Sequence, residues 1–144
     1  MNAGIPHLVP RIRTYWIVWL SAIAAAFTLR FTVFRGVASE QRFNLAITYM
    51  LGTWVPVMIL NFIEGRRLME YLKTHHHQKW QELTYVPGFG PGGRNGFRVM
   101  RWLYSADDLS DPAVTVLKAE LRAFIRFVFT VFFSYLLILP LLSL

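Results

Sequence analysis

The chain has 144 residues, of which 55% are hydrophobic and only 16% are charged, yet its net charge is +7. A soluble globule normally has about a quarter of its residues charged, so this composition disfavours a typical water-soluble domain, and it excludes a disordered chain. The sequence contains no cysteine, which excludes disulfides, thiol nucleophiles and thiolate metal sites.

Three stretches are apolar enough to cross a bilayer, since a spanning helix needs about 20 mostly apolar residues. The first covers about residues 15–34, with Arg30 as its only charge. The second and third cover about 43–63 and 127–144 and hold no charged residue. We expect the first two to form an N-terminal helical hairpin within residues 1–63. The sequence therefore predicts an all-α integral membrane protein with three transmembrane helices.

The polar part of the chain, residues 64–111, lies between the second and third spans and is predicted to be an amphipathic cytoplasmic segment. It continues the second helix as far as the histidines at 75–77 and contains a glycine-rich loop at 87–96. A short helix should follow, basic on one face and apolar on the other, which is typical of helices that lie on a membrane surface. Its apolar residues are Phe97, Met100, Trp102, Leu103 and Tyr104, and its basic residues are Arg94, Arg98 and Arg101.

A strong helix-start signal follows this segment. Asp111 can cap a helix through its carboxylate, and Pro112 suits the first helical position because its missing N–H is not needed there. We therefore predict one long helix over residues 112–144 that ends in the third span.

The basic residues are unevenly distributed, and this predicts the orientation. Ten of the fifteen Lys and Arg residues lie between the second and third spans. The positive-inside rule places such a segment in the cytoplasm. The N-terminus and residues 64–122 are thus predicted to be cytoplasmic and the C-terminus periplasmic, in a bacterial inner (cytoplasmic) membrane.

Motifs that could carry chemistry have the wrong context. Residues 88–93 match G-x-G-x-x-G, but a dinucleotide-binding motif needs a buried strand before it, and none is predicted. His75, His76 and His77 point about 100° apart on a helix, so they cannot converge on one metal ion, although pH sensing stays an alternative.

The three spans lack His, Asp and Glu, which disfavours haem ligation and proton-coupled transport. We therefore expect no enzymatic activity, no catalytic or metal site and no intrinsic cofactor. Bound lipids or peripheral contacts with pigments stay open.

The spans instead offer surface to other molecules. Residues predicted for close helix packing or bending are Ser21, Ala22, Ala25, Ala26, Gly52 and Pro56. Residues that offer hydrogen bonds on the second helix are Asn44, Thr48, Thr53 and Asn61. Residues predicted to form an aromatic interface on the third helix are Phe124, Phe127, Phe129, Phe132, Phe133 and Tyr135. Residues predicted to meet lipid headgroups are Arg30, Arg66, Arg67, Arg122 and Arg126. Arg30 is expected to snorkel, with buried pairing to another subunit as the alternative.

Two stretches carry a resemblance to a known family: Arg-Trp-Leu-Tyr at 101–104, and Leu-Lys-Ala-Glu-Leu-Arg at 117–122, which leads into the last span. Through them, residues 67–129 resemble the universal stress protein B family of small bacterial inner-membrane proteins. The chain departs from that family in its extra N-terminal span and its glycine-rich loop. The resemblance implies an inner-membrane protein and brings no catalytic residue with it.

Our hypothesis from the sequence is a non-catalytic accessory or scaffold subunit that packs against a larger inner-membrane complex. Respiratory and photosynthetic complexes are the usual hosts of such subunits. The alternative is a stand-alone stress-response or anionic-lipid-binding membrane protein. The expected partners are other integral membrane subunits and anionic phospholipids, and no nucleic acid is expected.

Overall fold

A computed structural model describes residues 9–93 and 95–144, which form five helices. The helices are α1 (Val9–Thr32), α2 (Ser39–His75), α3 (His77–Thr84), α4 (Gly96–Leu103) and α5 (Pro112–Ser143). Helices α1, α2 and α5 are long and apolar enough to cross a membrane, which confirms an all-α chain with three membrane-length helices. Residues 1–8 of the predicted hairpin and Arg94 of the predicted loop lie outside the described residues.

The helix boundaries follow local signals in the sequence. Helix α2 continues through Pro56 and ends at His75, within the predicted histidine stretch, and α3 begins two residues later. At the start of α5, the Ala113 N–H donates to the Asp111 carboxylate at 2.9 Å, which confirms the predicted cap. Helix α5 then continues past Pro140 to Ser143.

The described chain forms two compact units. The first, which we call the polar unit, comprises Phe62–Ala123, and the second, the membrane-helix unit, comprises residues 9–61 and 124–144. Helices α2 and α5 each contribute residues to both units. The first turns of α5 thus belong with the polar segment, whereas the sequence analysis placed a boundary after residue 111.

Aromatic side chains form much of the core of the membrane-helix unit. Phe127 of α5 packs edge-on against Trp16 and Trp19 of α1, with ring centroids 5.1 and 6.2 Å apart. The hydroxyls of Thr53 and Tyr135 share a hydrogen bond of 2.8 Å that joins α2 to α5. The core of this unit is therefore aromatic, with a polar tie inside it.

The polar unit has a small core of its own. Its buried apolar residues come from four helices and are Leu68, Leu72, Leu83, Trp102, Leu103, Val114 and Leu121. Trp102 and Leu103 lie inward, whereas Phe97, Met100 and Tyr104 are exposed. The prediction that these five residues share one apolar face of α4 is therefore wrong, because two of them serve the core of this unit.

Candidate functional site

Polar side chains of the polar unit meet at the start of α5. One carboxylate oxygen of Asp111 accepts hydrogen bonds from the Tyr71 hydroxyl at 2.9 Å and from His76 Nε2 at 2.7 Å. Its other oxygen caps α5. The hydrogen bond from His76 is the main reason that the pKa of Asp111 lies below its ordinary value. This Asp111 cluster (Tyr71, His76 and Asp111) ties the end of α2 to the start of α5.

A second carboxylate lies in the loop before α5. Asp107 accepts a hydrogen bond from Trp102 Nε1 at 3.1 Å and lies 3.1 Å from Lys79 Nζ. The hydrogen bond from Lys79 is the main cause that lowers the pKa of Asp107. Desolvation acts to lower the pKa of Lys79, but its hydrogen bonds to Glu82 and Asp107 outweigh this, so the net shift is upward.

Lys118 is the buried cation of the polar unit, with only 2% of its surface exposed. Its ammonium donates to the backbone carbonyls of Ser105 at 3.0 Å and Asp107 at 2.7 Å. It also lies 4.4 Å from the centroid of the Trp102 ring, a cation–π contact. Lys118 therefore supplies hydrogen bonds to the carbonyls that follow α4, a role that counting basic residues in the sequence could not reveal.

The three consecutive histidines contact three different partners. His75 stacks on Tyr71 with ring centroids 4.3 Å apart, His76 bonds to Asp111, and His77 stacks on Trp80 at 5.3 Å. Within the described residues, no group of three or more His, Asp or Glu could hold a metal ion.

The chemistry that the Asp111 cluster could perform depends on the hydroxyl group beside its His–Asp pair. A His–Asp pair can orient an imidazole as a proton acceptor when a nucleophilic hydroxyl faces it. Here the nearby hydroxyl is the Tyr71 phenol, which donates a hydrogen bond to the Asp111 carboxylate. These hydrogen bonds therefore connect the end of α2 to the start of α5.

The membrane-helix unit contains an open groove of about 480 Å³. The groove is lined by Leu29, Val33, Phe34, Val37, Gln41, Asn44, Leu45 and Thr48. Its polar residues, Gln41, Asn44 and Thr48, follow one another along α2 at helical spacing, and all three are exposed. Asn44 and Thr48 were predicted from the sequence to offer hydrogen bonds, whereas the groove was not predicted.

The predicted headgroup arginines differ in their surroundings. In the polar unit, Arg66 pairs with Glu70 at 3.5 Å, Arg67 pairs with Glu64 at 3.1 Å, and Arg122 Nε donates to a backbone carbonyl. In the membrane-helix unit, Arg30 donates to the Phe34 carbonyl at 3.4 Å and is half-buried. Arg126 of the same unit is exposed.

The predicted packing and aromatic residues divide into buried and exposed sets. On α1, Ala26 is buried and Ala22 half-buried, whereas Ser21 and Ala25 are exposed. Gly52 and Pro56 are exposed on α2, and a Cβ added at Gly52 would meet no atom within 4 Å. Within the aromatic set, Phe124, Phe127 and Tyr135 are buried in the unit's own core, and Phe129, Phe132 and Phe133 are exposed. The predicted aromatic interface is therefore reduced to the three exposed rings.

Compared with known protein families, curated proteins and solved structures, the chain shows no match in any of the three. The resemblance of residues 67–129 to the universal stress protein B family stays a prediction.

Proposed function

We propose that the chain is a non-catalytic accessory or scaffold subunit whose membrane-helix unit packs against other integral subunits of a larger inner-membrane complex, of the respiratory or photosynthetic kind. The observation that carries this proposal is the row Gln41, Asn44 and Thr48, exposed in an apolar groove on a membrane-length helix. Lipid tails cannot form hydrogen bonds, so polar side chains exposed near the start of such a helix favour a neighbouring helix that can.

Small residues next to this groove-bearing helix support the same proposal. Ser21 and Ala25 are exposed and four residues apart on α1, a spacing that lets a second helix backbone approach closely. Gly52 lets a neighbouring helix approach α2 in the same way, because a Cβ added at this residue would meet no atom within 4 Å.

Substitution of the polar residues that line the groove is expected to weaken binding of the partner. Replacing Asn44 by Leu and Thr48 by Val should weaken retention of the partner about tenfold, since interhelical hydrogen bonds in membranes contribute about 0.6 kcal/mol each on average. The measurement is the molar ratio of partner to tagged chain after purification from native membranes in mild detergent.

A matched control removes a hydroxyl elsewhere. Thr28 is exposed on α1, its hydroxyl donates to the Ala24 carbonyl of the same helix, and it does not line the groove. Thr28→Val should therefore retain the partner. A wild-type chain that migrates alone, or equal retention in both variants, would contradict the proposal.

The proposed orientation has the polar unit in the cytoplasm and the C-terminus in the periplasm. The chain has no cysteine, so single cysteines report accessibility without background. We expect a membrane-impermeant maleimide to label the Leu144→Cys variant in intact cells and the Gln78→Cys variant only after permeabilisation. The wild-type chain provides the unlabelled control, and the reverse pattern would contradict the orientation.

A further inference from the structure

Helix α4 turns aromatic residues outward. Trp102 and Leu103 fill the core of the polar unit, while Phe97 and Met100, on the opposite side of the helix, and Tyr104, just after its end, are exposed. Phe97 has 92% of its surface exposed, almost the maximum for a side chain. A helix at a protein–water surface normally turns polar residues outward. The outward face of α4 therefore suits an apolar environment.

A tight turn presents a second exposed ring. Pro87 and Gly88 occupy its centre, Gly88 has a φ of +86°, and the Phe89 N–H donates to the Val86 carbonyl at 3.0 Å. This is the geometry of a type II turn, which favours Pro followed by Gly. Phe89 is 89% exposed at the end of this turn. The backbone therefore holds the ring away from the rest of the unit.

The turn and α4 are fixed to the same support. Asn95 donates to the Tyr85 carbonyl at 3.1 Å, and Arg98 donates to the Glu82 carbonyl at 3.2 Å. Val86, which accepts the hydrogen bond from Phe89, lines a shallow depression together with Phe97 and Met100. The two exposed rings are thus presented by adjoining parts of one ordered structure, which lowers the entropy lost on binding.

The stretch of sequence that carries these rings holds charge of one sign. Residues 83–106 contain Arg94, Arg98 and Arg101 and no Asp or Glu. Arg101 is exposed and follows Phe97 by four residues, so the two lie on the same face of α4. Exposed aromatic rings next to arginines, with no acidic residue between them, fit a surface of anionic phospholipids.

We propose that this surface, which we call the α4 surface (Phe89, Phe97, Met100, Arg101 and Tyr104), docks on an anionic membrane. Phe89 and Phe97 enter the boundary between headgroups and acyl chains, and Arg101 meets the lipid phosphates. The proposal goes beyond the assembly with other subunits, because it needs only this chain and lipid.

The test places a fluorophore on single cysteines in the full chain reconstituted into vesicles. Labels on the Phe89→Cys and Phe97→Cys variants should be quenched by brominated lipids in phosphatidylcholine vesicles that contain phosphatidylglycerol. A label on Gln78→Cys, an exposed position on α3, should not be quenched. Vesicles of phosphatidylcholine alone should give weaker quenching at positions 89 and 97.

Substitutions away from the label separate the two contributions. With the label at position 89, Arg101→Gln should lower the docked fraction relative to the undocked fraction about fivefold. Phe97→Ser should lower it about tenfold or more, because a buried phenylalanine ring contributes more than one headgroup contact. The exposed Lys73→Gln variant of α2 should leave it unchanged.

Two outcomes would overturn the proposal. Equal quenching at positions 78, 89 and 97 would show no preference of this surface for lipid. A blue-shifted label at position 97 without lipid quenching would mean that protein, such as a second copy of this chain, covers the ring. The proposed assembly with other subunits does not depend on either result, since the vesicles contain only this chain.

Discussion

Replacing Lys118 by Ala is expected to lower the free energy of unfolding of the polar unit by about 3 kcal/mol. The ammonium is buried and donates to the carbonyls of Ser105 and Asp107, so its removal leaves both part-buried acceptors without this donor. The cation–π contact with Trp102 is lost as well.

Amide hydrogen exchange of peptides from residues 96–111, in mild detergent, measures this loss as faster opening. Lys118→Met retains most of the side-chain volume but not the charge, so it should lose most of the same stability if the ammonium is responsible. Lys73→Ala is the control, because Lys73 is exposed and lies 5.5 Å from the Trp80 ring, which predicts a loss below about 1 kcal/mol. Equal exchange in the Lys118 and Lys73 variants would contradict the role of the buried cation.

The helices could be predicted from sequence because each depends on local signals. The apolar stretches set the three membrane-length helices, and the pair Asp111–Pro112 set the start of α5. The glycine-rich loop was visible because closely spaced glycine and proline disfavour helix. Such features need only residues that are neighbours in the chain.

The polar contacts of the candidate site could not be predicted in this way. His76 and Asp111 are 35 residues apart, and Lys118 is 13 residues from the Ser105 carbonyl that it contacts. Nothing in their immediate sequence selects these partners. The sequence could not predict for the same reason which residues of α4 face inward. Trp102 is buried and Phe97 is exposed because of where the rest of the polar unit lies.

Acid should destabilise the polar unit, and Asp111 should be a main cause. The hydrogen bond from His76, with others from Ala113 and Tyr71, lowers the folded-state pKa of Asp111 below the ordinary value of about 3.9. The unfolded chain then binds the proton more readily than the folded chain does. The stability that this carboxylate contributes is therefore fully present above the unfolded-state pKa and is lost as the pH falls through the folded-state pKa.

Asp111→Asn removes the negative charge but keeps the helix cap, because Asn also caps helices well. Its free energy of opening, measured by hydrogen exchange across α3 and the start of α5, should fall less steeply than that of the wild type below about pH 5. Asp111→Ala also loses the cap and should cost about 2 kcal/mol at neutral pH. Glu70→Gln, at an exposed surface pair with Arg66, should retain the wild-type pH dependence. Full acid sensitivity in the Asn variant would contradict the role of Asp111. The source would then be Asp107, because its hydrogen bond from Lys79 also lowers the pKa of a carboxylate.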